Sequence, residues 1–347
     1  MKPDFQVLAD EHDITALIRD RLIEIRISDK PGLDSDSCEI ELDDRDGKLR
    51  FPRKGAVLSV SLGWVGEGLN RLGRYRVDEI EVKGPPAAIL IRCKAADVSE
   101  DSKTHRRNSW EDTSLATIVG DVAGRQGWQP VCAVQAEIVR ADQVGESDLH
   151  FLTRLARLHN ATATVKAGKL LVLPRDSGQQ ASGGSMAELT ISPAQCHSYS
   201  LVFPDRPAHA KVRTQWHDPK VGQPVPLILP NPSAPPGATA IHIDRHTYAN
   251  PHAARDAADS RLGALNRATA SGHLVLARGD ARICAERKVR LKGFKPQVDG
   301  VYLAENVEHA YSHSGWITTV QLNAGNAGKA QVGHASQTDL PIPAPPQ

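Results

Sequence analysis

One pattern occurs twice in this chain, once near residue 75 and again near residue 302. GRYRVDEIE (73–81) and GVYLAENVE (300–308) both fit G-x-Y-x-[VA]-[DE]-x-[IV]-E. The flanks agree in order. SVSLGW (59–64) precedes the first copy and VRLKGF (289–294) the second, each an alternating strand ending in Gly plus an aromatic. AILIRCKA (88–95) and ITTVQLNA (317–324) follow as matching strands. The glycine permits a tight turn or bulge. Tyr75 then shares a strand face with Val77, and Tyr302 with Ala304. Ile80 and Val307 hold the same place in each copy. Two related sheet units on either side of a different middle section are therefore predicted.

The rest of the chain fits that division. RLIEIRI (21–27) puts Ile23, Ile25 and Ile27 on one face, and SCEIELD (37–43) does so with Cys38, Ile40 and Leu42. With AVLSVSLGW, GRYRVDEIEVKG and AAILIRCKA these make residues 1–98 an antiparallel sheet or barrel. Residues 99–186 read as a small α+β insert. VSEDSKTHRRNS is predicted as a polar connection, and WEDTSLATIVGDVAGRQGW as an amphipathic helix with Leu115, Ile118, Val119, Val122 and Ala123 at helical spacing. Asp112 or Thr113 would cap that helix, and Gly127 would end it. In SDLHFLTRLARLHNATATVKAGKLLVLP (147–174), Ser147 caps a second helix that buries Leu149, Leu152 and Leu155. The pattern then alternates, turns at Ala167–Gly168 and returns as a hairpin. RDSGQQASGGSM (175–186) is predicted as a flexible exit.

Strands resume over residues 187–217. Residues 218–246 are too proline-rich for a central strand and read as an extended, polyproline-like arm. The second unit is assigned to 247–325, beginning with an Ala-rich helix capped by Asn250 and Pro251 that must pack closely on something. Residues 326–347 are a Pro-rich tail with little to bury.

Composition removes several function classes. The net charge of +1 predicts no general attraction to nucleic acid or to a membrane surface. No run of about 18 apolar residues is present, so no helical span is expected. MKPDFQVLADEHDIT is too polar for a signal peptide. Aromatics at 4% weigh against an extended stacking surface. Five scattered cysteines, without a C-x-x-C pair, read as reduced and mostly buried thiols of a protein made in the cytoplasm.

Three stretches together resemble the late control D family, the baseplate hub of contractile phage tails, with relatives in R-type pyocins and in the N-terminal part of VgrG spikes. They are SLATIVGDVAGRQGW, ESDLHFLTRLARLHNATATVKAGKLLVLP and KVRLKGFKPQVDGVYLAENVEHAYSHSGWITTVQL. The resemblance covers most of residues 5–325. It implies two tube-like β-barrel domains per chain and a homotrimer whose six barrels adapt a sixfold tail tube to a threefold spike. The implied partners are further copies of itself, the tail tube protein, the central spike protein and other baseplate proteins. Phage DNA would pass through the channel without tight binding. The implied location is the virion or tailocin baseplate, after assembly in the bacterial cytoplasm. VgrG proteins continue into a further domain and a needle, whereas this sequence stops soon after the second unit, so the piercing tip is expected to be a separate protein.

No catalytic, metal or cofactor site is assigned. His242, Asp244 and His246, and likewise His309 and His313, lack the spacing of a metal motif. Cys196 and His197 would point to opposite faces of a strand. Glu100–Asp101 and Glu111–Asp112 are the nearest to a carboxylate pair for glycoside hydrolysis, and read better as helix-start charges. The basic stretch KTHRRNS (103–109) reads as a solvated loop, with an acidic neighbour or a channel lining as the functional alternative. The competing functions are a peptidoglycan-binding or peptidoglycan-cleaving tip enzyme and a VgrG-type secretion spike component.

Overall fold

A computed structural model describes residues 2–32, 36–96, 104–166, 168–179 and 184–333. Ala167 of the expected turn, Lys103, the Glu100–Asp101 pair, residues 180–183 of the exit and residues 334–347 of the tail lie outside the described residues.

The first unit comprises β1 (Pro3–Ala9), β2 (His12–Asp13), α1 (Thr15–Ile18), β3 (Leu22–Asp29), β4 (Ser37–Asp43), β5 (Val57–Trp64), β6 (Gly68–Lys83) and β7 (Ala88–Ala95). Six strands lie side by side in the order β3-β4-β7-β6-β5-β1. Alternation along them buries Ile25, Ile27, Cys38, Ile40, Leu42, Leu58, Val60 and Val77 in one core. Ile23 departs from the expected face. A bulge between Leu22 and Glu24 turns it outward, and Leu22 takes the buried place.

The second unit comprises β13 (Leu189–Ile191), β14 (Cys196–Val202), β18 (Ser271–Leu276), β19 (Lys288–Leu291), β20 (Gly300–Ser312) and β21 (Gly315–Asn323), around a separate core. Its order is β14-β18-β21-β20-β19, with β13 beside β19. That is the same permutation as the first unit, with β1, β3, β4, β5, β6 and β7 replaced in turn by β13, β14, β18, β19, β20 and β21. Register agrees as well. The pairing of β6 with β7 slips at Asp78 and that of β20 with β21 at Glu305, the same place in the repeated motif. The bulge at Ile23 has its counterpart at His197 in β14. One difference is that β1 runs antiparallel to β5, whereas β13 runs parallel to β19. The second unit therefore starts at Leu189, earlier than the expected 247.

The two units form one continuous sheet. One edge of β20 pairs with β21 over Leu303–Ser312. Its other edge pairs first with β19, over Gly300–Leu303, and then with β3, over Val307–Ser312.

The insert contains β8 (His105–Ser114), α2 (Leu115–Gln126), β9 (Gln129–Cys132), β10 (Glu137–Ser147), α3 (Asp148–Leu158), β11 (Ala161–Lys166) and β12 (Lys169–Pro174). It has its own core. Of the residues expected as a polar connection, 98–103 lie outside the described residues and 105–109 are instead part of β8, paired antiparallel with β10. The cap of α2 is Ser114, whose side chain accepts from the Thr117 amide, and not Asp112 or Thr113. Gly127 ends α2 in the left-handed region at φ 70°. Ser147 caps α3, accepting from the His150 amide at 3.2 Å. The expected flexible exit is tied at its described ends, where Gln179 bridges Ser185 and the Met186 amide donates to the Gly178 carbonyl.

The expected polyproline arm is a small sheet. β15 (Lys211–Asp218) lies between β16 (Gln223–Pro230) and β17 (Ile241–Tyr248). Pro224, Pro226 and Pro230 share one parity on β16, and an edge strand tolerates proline where the missing N–H would face away from its partner. The Ala-rich helix α4 (Pro251–Arg267) belongs to this sheet, packing Ala254 and Ala258 against β15. The Thr214 hydroxyl donates to the Ala254 carbonyl at 2.9 Å. Small side chains are what let helix and sheet approach this closely.

Leu152 is 1% exposed at the centre of the insert core. Leu152→Asp is expected to destabilise the protein by on the order of 3–5 kcal/mol, read as a lowered midpoint in chemical denaturation. His309 lies on β20 opposite Ile27 of β3, and burial pushes its pKa down to about 4. The unfolded chain therefore takes up the proton first, so stability falls as pH drops from about 6.5 towards 4. His309→Gln should flatten that acid-side slope in thermal melts.

Candidate functional site

Among the described residues, the chemistry concentrates where the four parts of the chain meet. At the seam between the units, Trp64 and Trp316 stack with centroids 5.6 Å apart. The Trp64 indole donates to the Gly279 carbonyl at 3.0 Å, and Arg278 lies over its ring while pairing with Glu67. Gly279 is required by space, since a Cβ there would sit 2.2 Å from the Trp316 ring. An open cleft of about 650 Å³ at this corner is walled by both units. Phe5 of the first unit meets Tyr311 of the second at 5.0 Å.

A second joint unites the insert with both units. The Lys166 ammonium, at the end of β11, lies 3.1 Å from Asp29 and 3.5 Å from Asp36. The other Asp29 oxygen accepts from the Ala285 amide of the second unit at 2.8 Å. Burial opposes the Asp29 charge, but Lys166 and the Ala285 amide hold its pKa below the usual range. Burial and the neighbouring Asp29 carboxylate push Asp36 up to about 7. One ammonium thus neutralises one carboxylate fully and the second only in part.

The third joint is a polar lock. Arg267 of α4 donates to the side-chain oxygens of Asn160, at the end of α3, and of Asn326, after β21. Asn326 bonds in turn to Asp176 and to the Arg175 carbonyl. Asn266 donates to the Asn326 carbonyl at 2.9 Å, and Asn231 donates to Asn266 at 3.0 Å. Gly263 leaves room for this cluster, because a Cβ would lie 2.8 Å from the Asn326 oxygen. Residues 326–333 are therefore part of the fold and not the expected free tail. Ala330 is buried, and the Lys329 ammonium lies 4.6 Å from the Tyr302 ring centroid.

The residues singled out from sequence fall inside cores. Tyr75, Val77, Tyr302, Ala304 and Val307 are buried, and Ile80 packs against the first core. Tyr302 donates to the Val298 carbonyl at 2.7 Å. Leu152 and Leu155 are buried and Leu149 packs beside them. The structure does not gather these nine residues; they lie in three cores, the motif residues in the first and second units and the leucines in the insert.

The other candidates have structural partners. Arg106 of the basic stretch lies on β8 and approaches Asp148, a buried carboxylate at the start of α3 that Arg125, Gln126 and Gln143 also contact. Glu111 is on the same strand, paired with Arg140, and not at a helix start. Cys196 packs against the second core, while the bulged His197 is exposed. Cys38 and Cys93 are buried neighbours across β4 and β7, and burial pushes both thiols up, Cys93 to about 12. His309 exchanges a hydrogen bond with Thr318 at 2.9 Å, and His242 meets His209 edge to face. Among the described residues, no three His, Cys, Asp or Glu side chains converge as a metal site would require.

Sequence reasoning missed the tryptophan stack, the Lys166 joint and the Arg267 lock. The signal available was weak: one tryptophan just before the first motif copy and another just after the second, and Asn160 and Asn326 just past a helix end and a strand end.

Comparison with known proteins agrees with this architecture. A family model described as phage tail baseplate hub (GPD) matches residues 66–315. The chain is 33% identical to the probable baseplate hub protein of Escherichia phage 186, over 93% of each chain. It is 32% identical to the protein of the same description from Escherichia phage P2, again over 93% of each. Among solved structures, the 43 kDa tail protein of prophage MuSo2 from Shewanella oneidensis superposes with a TM-score of 0.69 at 14% identity, covering 94% of this chain and 99% of that one.

The Asp36 carboxyl has a raised folded-state pKa, so the native state retains a proton that the unfolded chain has lost between about pH 4 and pH 7. Its contribution to stability is present below that window and fades as pH rises through it. Asp36→Asn is expected to remove this component, giving melting curves less dependent on pH between 5 and 7 than those of the unaltered protein.

Proposed function

Because the chain belongs to the phage tail baseplate hub family, we propose that it works as a homotrimeric ring joining the tail tube to the central spike. The observation that carries this reading is the doubled unit. Two units that share six strands in one permutation and two bulges at equivalent positions stand side by side in each chain. Three such chains would present six similar units, which is what a sixfold tube requires above a threefold spike. Heterologous contacts that repeat from unit to unit close such a ring.

Its action is mechanical. The tail tube protein would seat on the six units, the spike would dock on the opposite face, and the insert would contact other baseplate proteins. The three joints make each chain a stiff element that transmits load between these partners. DNA would pass the channel without tight binding, consistent with a net charge of +1. The place of action is the tail baseplate of a virion or tailocin, after assembly in the bacterial cytoplasm. The role is read as structural, supported by the described candidates that have partners: Glu111 is ion-paired with Arg140, His309 is hydrogen-bonded to Thr318 and Cys196 packs on the second core.

Native mass spectrometry of the purified full chain tests this. The expected species is three times the 37.5 kDa chain mass. A chain that remains monomeric at every concentration measured would overturn the ring.

A further inference from the structure

The correspondence between the units can be carried to single residues, and it exposes two strand edges that lack what their counterparts have. In the first unit the outer edge of β3 is covered by β20, with Ile27 opposite His309 and Glu308 opposite Ser28. The counterpart of β3 is β14. It pairs with β18 as β3 pairs with β4, and aligning the bulges at Ile23 and His197 sets Ile25 against Tyr199 and Ile27 against Leu201. The outer edge of β14 ends the sheet and has no strand beside it among the described residues.

The covering strand β20 also has a counterpart, β6. On β20, the ladder to β19 gives way at Ala304, whose N–H and C=O bond to Arg287 and Glu286. On β6, the ladder to β5 gives way at Val77, whose N–H and C=O bond to Ala56 and Gly55 in the same manner. Beyond that point β20 receives β3. Beyond Val77, β6 receives no strand along that edge among the described residues.

Exposure follows the same division. Ile25, Ile27 and His309 are at most 2% exposed in the intrachain joint. At the free counterparts Tyr199 is 50% exposed and Val82 62%, and Val202, the counterpart of Ser28, is 55% exposed. β14 carries no lysine or proline of the kind that guards free edges, and its bulge at His197 lies outside residues 199–202. An open edge with apolar side chains on it is a template for another strand.

We propose that β14 of one copy pairs antiparallel with residues 80–83 of β6 in the next copy, reproducing between chains the joint that β3 and β20 make within one. The register follows from the correspondence: Ile80 opposite Phe203, Glu81 opposite Val202, Val82 opposite Leu201 and Lys83 opposite Ser200. This rests on the trimeric ring proposed above and supplies its contact. Each chain donates one edge and accepts one, so the contact is heterologous and closes on the third copy.

Disulfide trapping on the full chain tests the register. Residues directly opposite in an antiparallel pair lie within bridging distance, whereas diagonal neighbours fall at or beyond it. Val82→Cys with Leu201→Cys should give, on mild oxidation, a covalent ladder ending at three chains. Each single variant should give none, and Val82→Cys with Tyr199→Cys on the order of ten-fold less. Glu81→Cys with Val202→Cys, at the same register on the solvent face, repeats the test without touching half-buried Leu201. Trimers by mass with neither in-register pair trapped would overturn the pairing and leave the ring standing. A ladder running past three would support the pairing and overturn ring closure. Monomers with no trapping would overturn both.

Discussion

The backbone ladder between β3 and the second half of β20 is the constraint on which the rest of the molecule depends. A strand has two edges, and β20 uses one for β21 and divides the other between β19 and β3. Its hydrogen bonds therefore belong to both units at once. Neither unit can shift in register against the other without losing the ladder and turning side chains to the wrong face. The buried His309, the Trp64–Trp316 stack and the contact of Phe5 with Tyr311 all sit along this seam, where apolar packing supplements the ladder.

The insert and the small α4 sheet are held by a different kind of force. Their joints are polar, built from Asp29 with Lys166 and from Arg267 with Asn160 and Asn326, which Asn266 and Asn231 extend. Buried polar groups are costly unless each finds a partner, so such a lock accepts one arrangement and rejects neighbouring ones. Apolar seams supply cohesion, and polar locks supply orientation. In the ring proposed above, orientation would matter as much as strength.

In the proposed ring, a doubled unit would resolve the symmetry conflict with little new structure. The same strand permutation serves twice, and the differences lie where each unit meets something unlike. The first unit joins β3 to β4 directly, whereas the second opens the equivalent connection to admit β15–β17 and α4. β13 runs parallel to β19 where β1 runs antiparallel to β5, at the point where the chain enters the second unit from the insert.

Local chemistry made much of this legible in the amino-acid order. The repeated Gly-x-Tyr motif, the alternation of strands, the helices capped by Ser147 and Asn250 and the left-handed Gly127 depend on neighbours within a few residues. The expected extended arm is a sheet because its prolines forbid only a central strand, and the edge place that β16 occupies exists only once β15 is beside it. Ile23 followed the alternation of its segment until a bulge, imposed by its partner strand, turned it outward. That two alike sheet units flank an α+β insert is written in the amino-acid order, since periodicity and turn chemistry are local. Only the tertiary structure decided that β20 is shared, that Arg267 meets Asn160 and Asn326, and which edges remain free, because each requires residues far apart in the chain to meet across a surface that no single segment specifies.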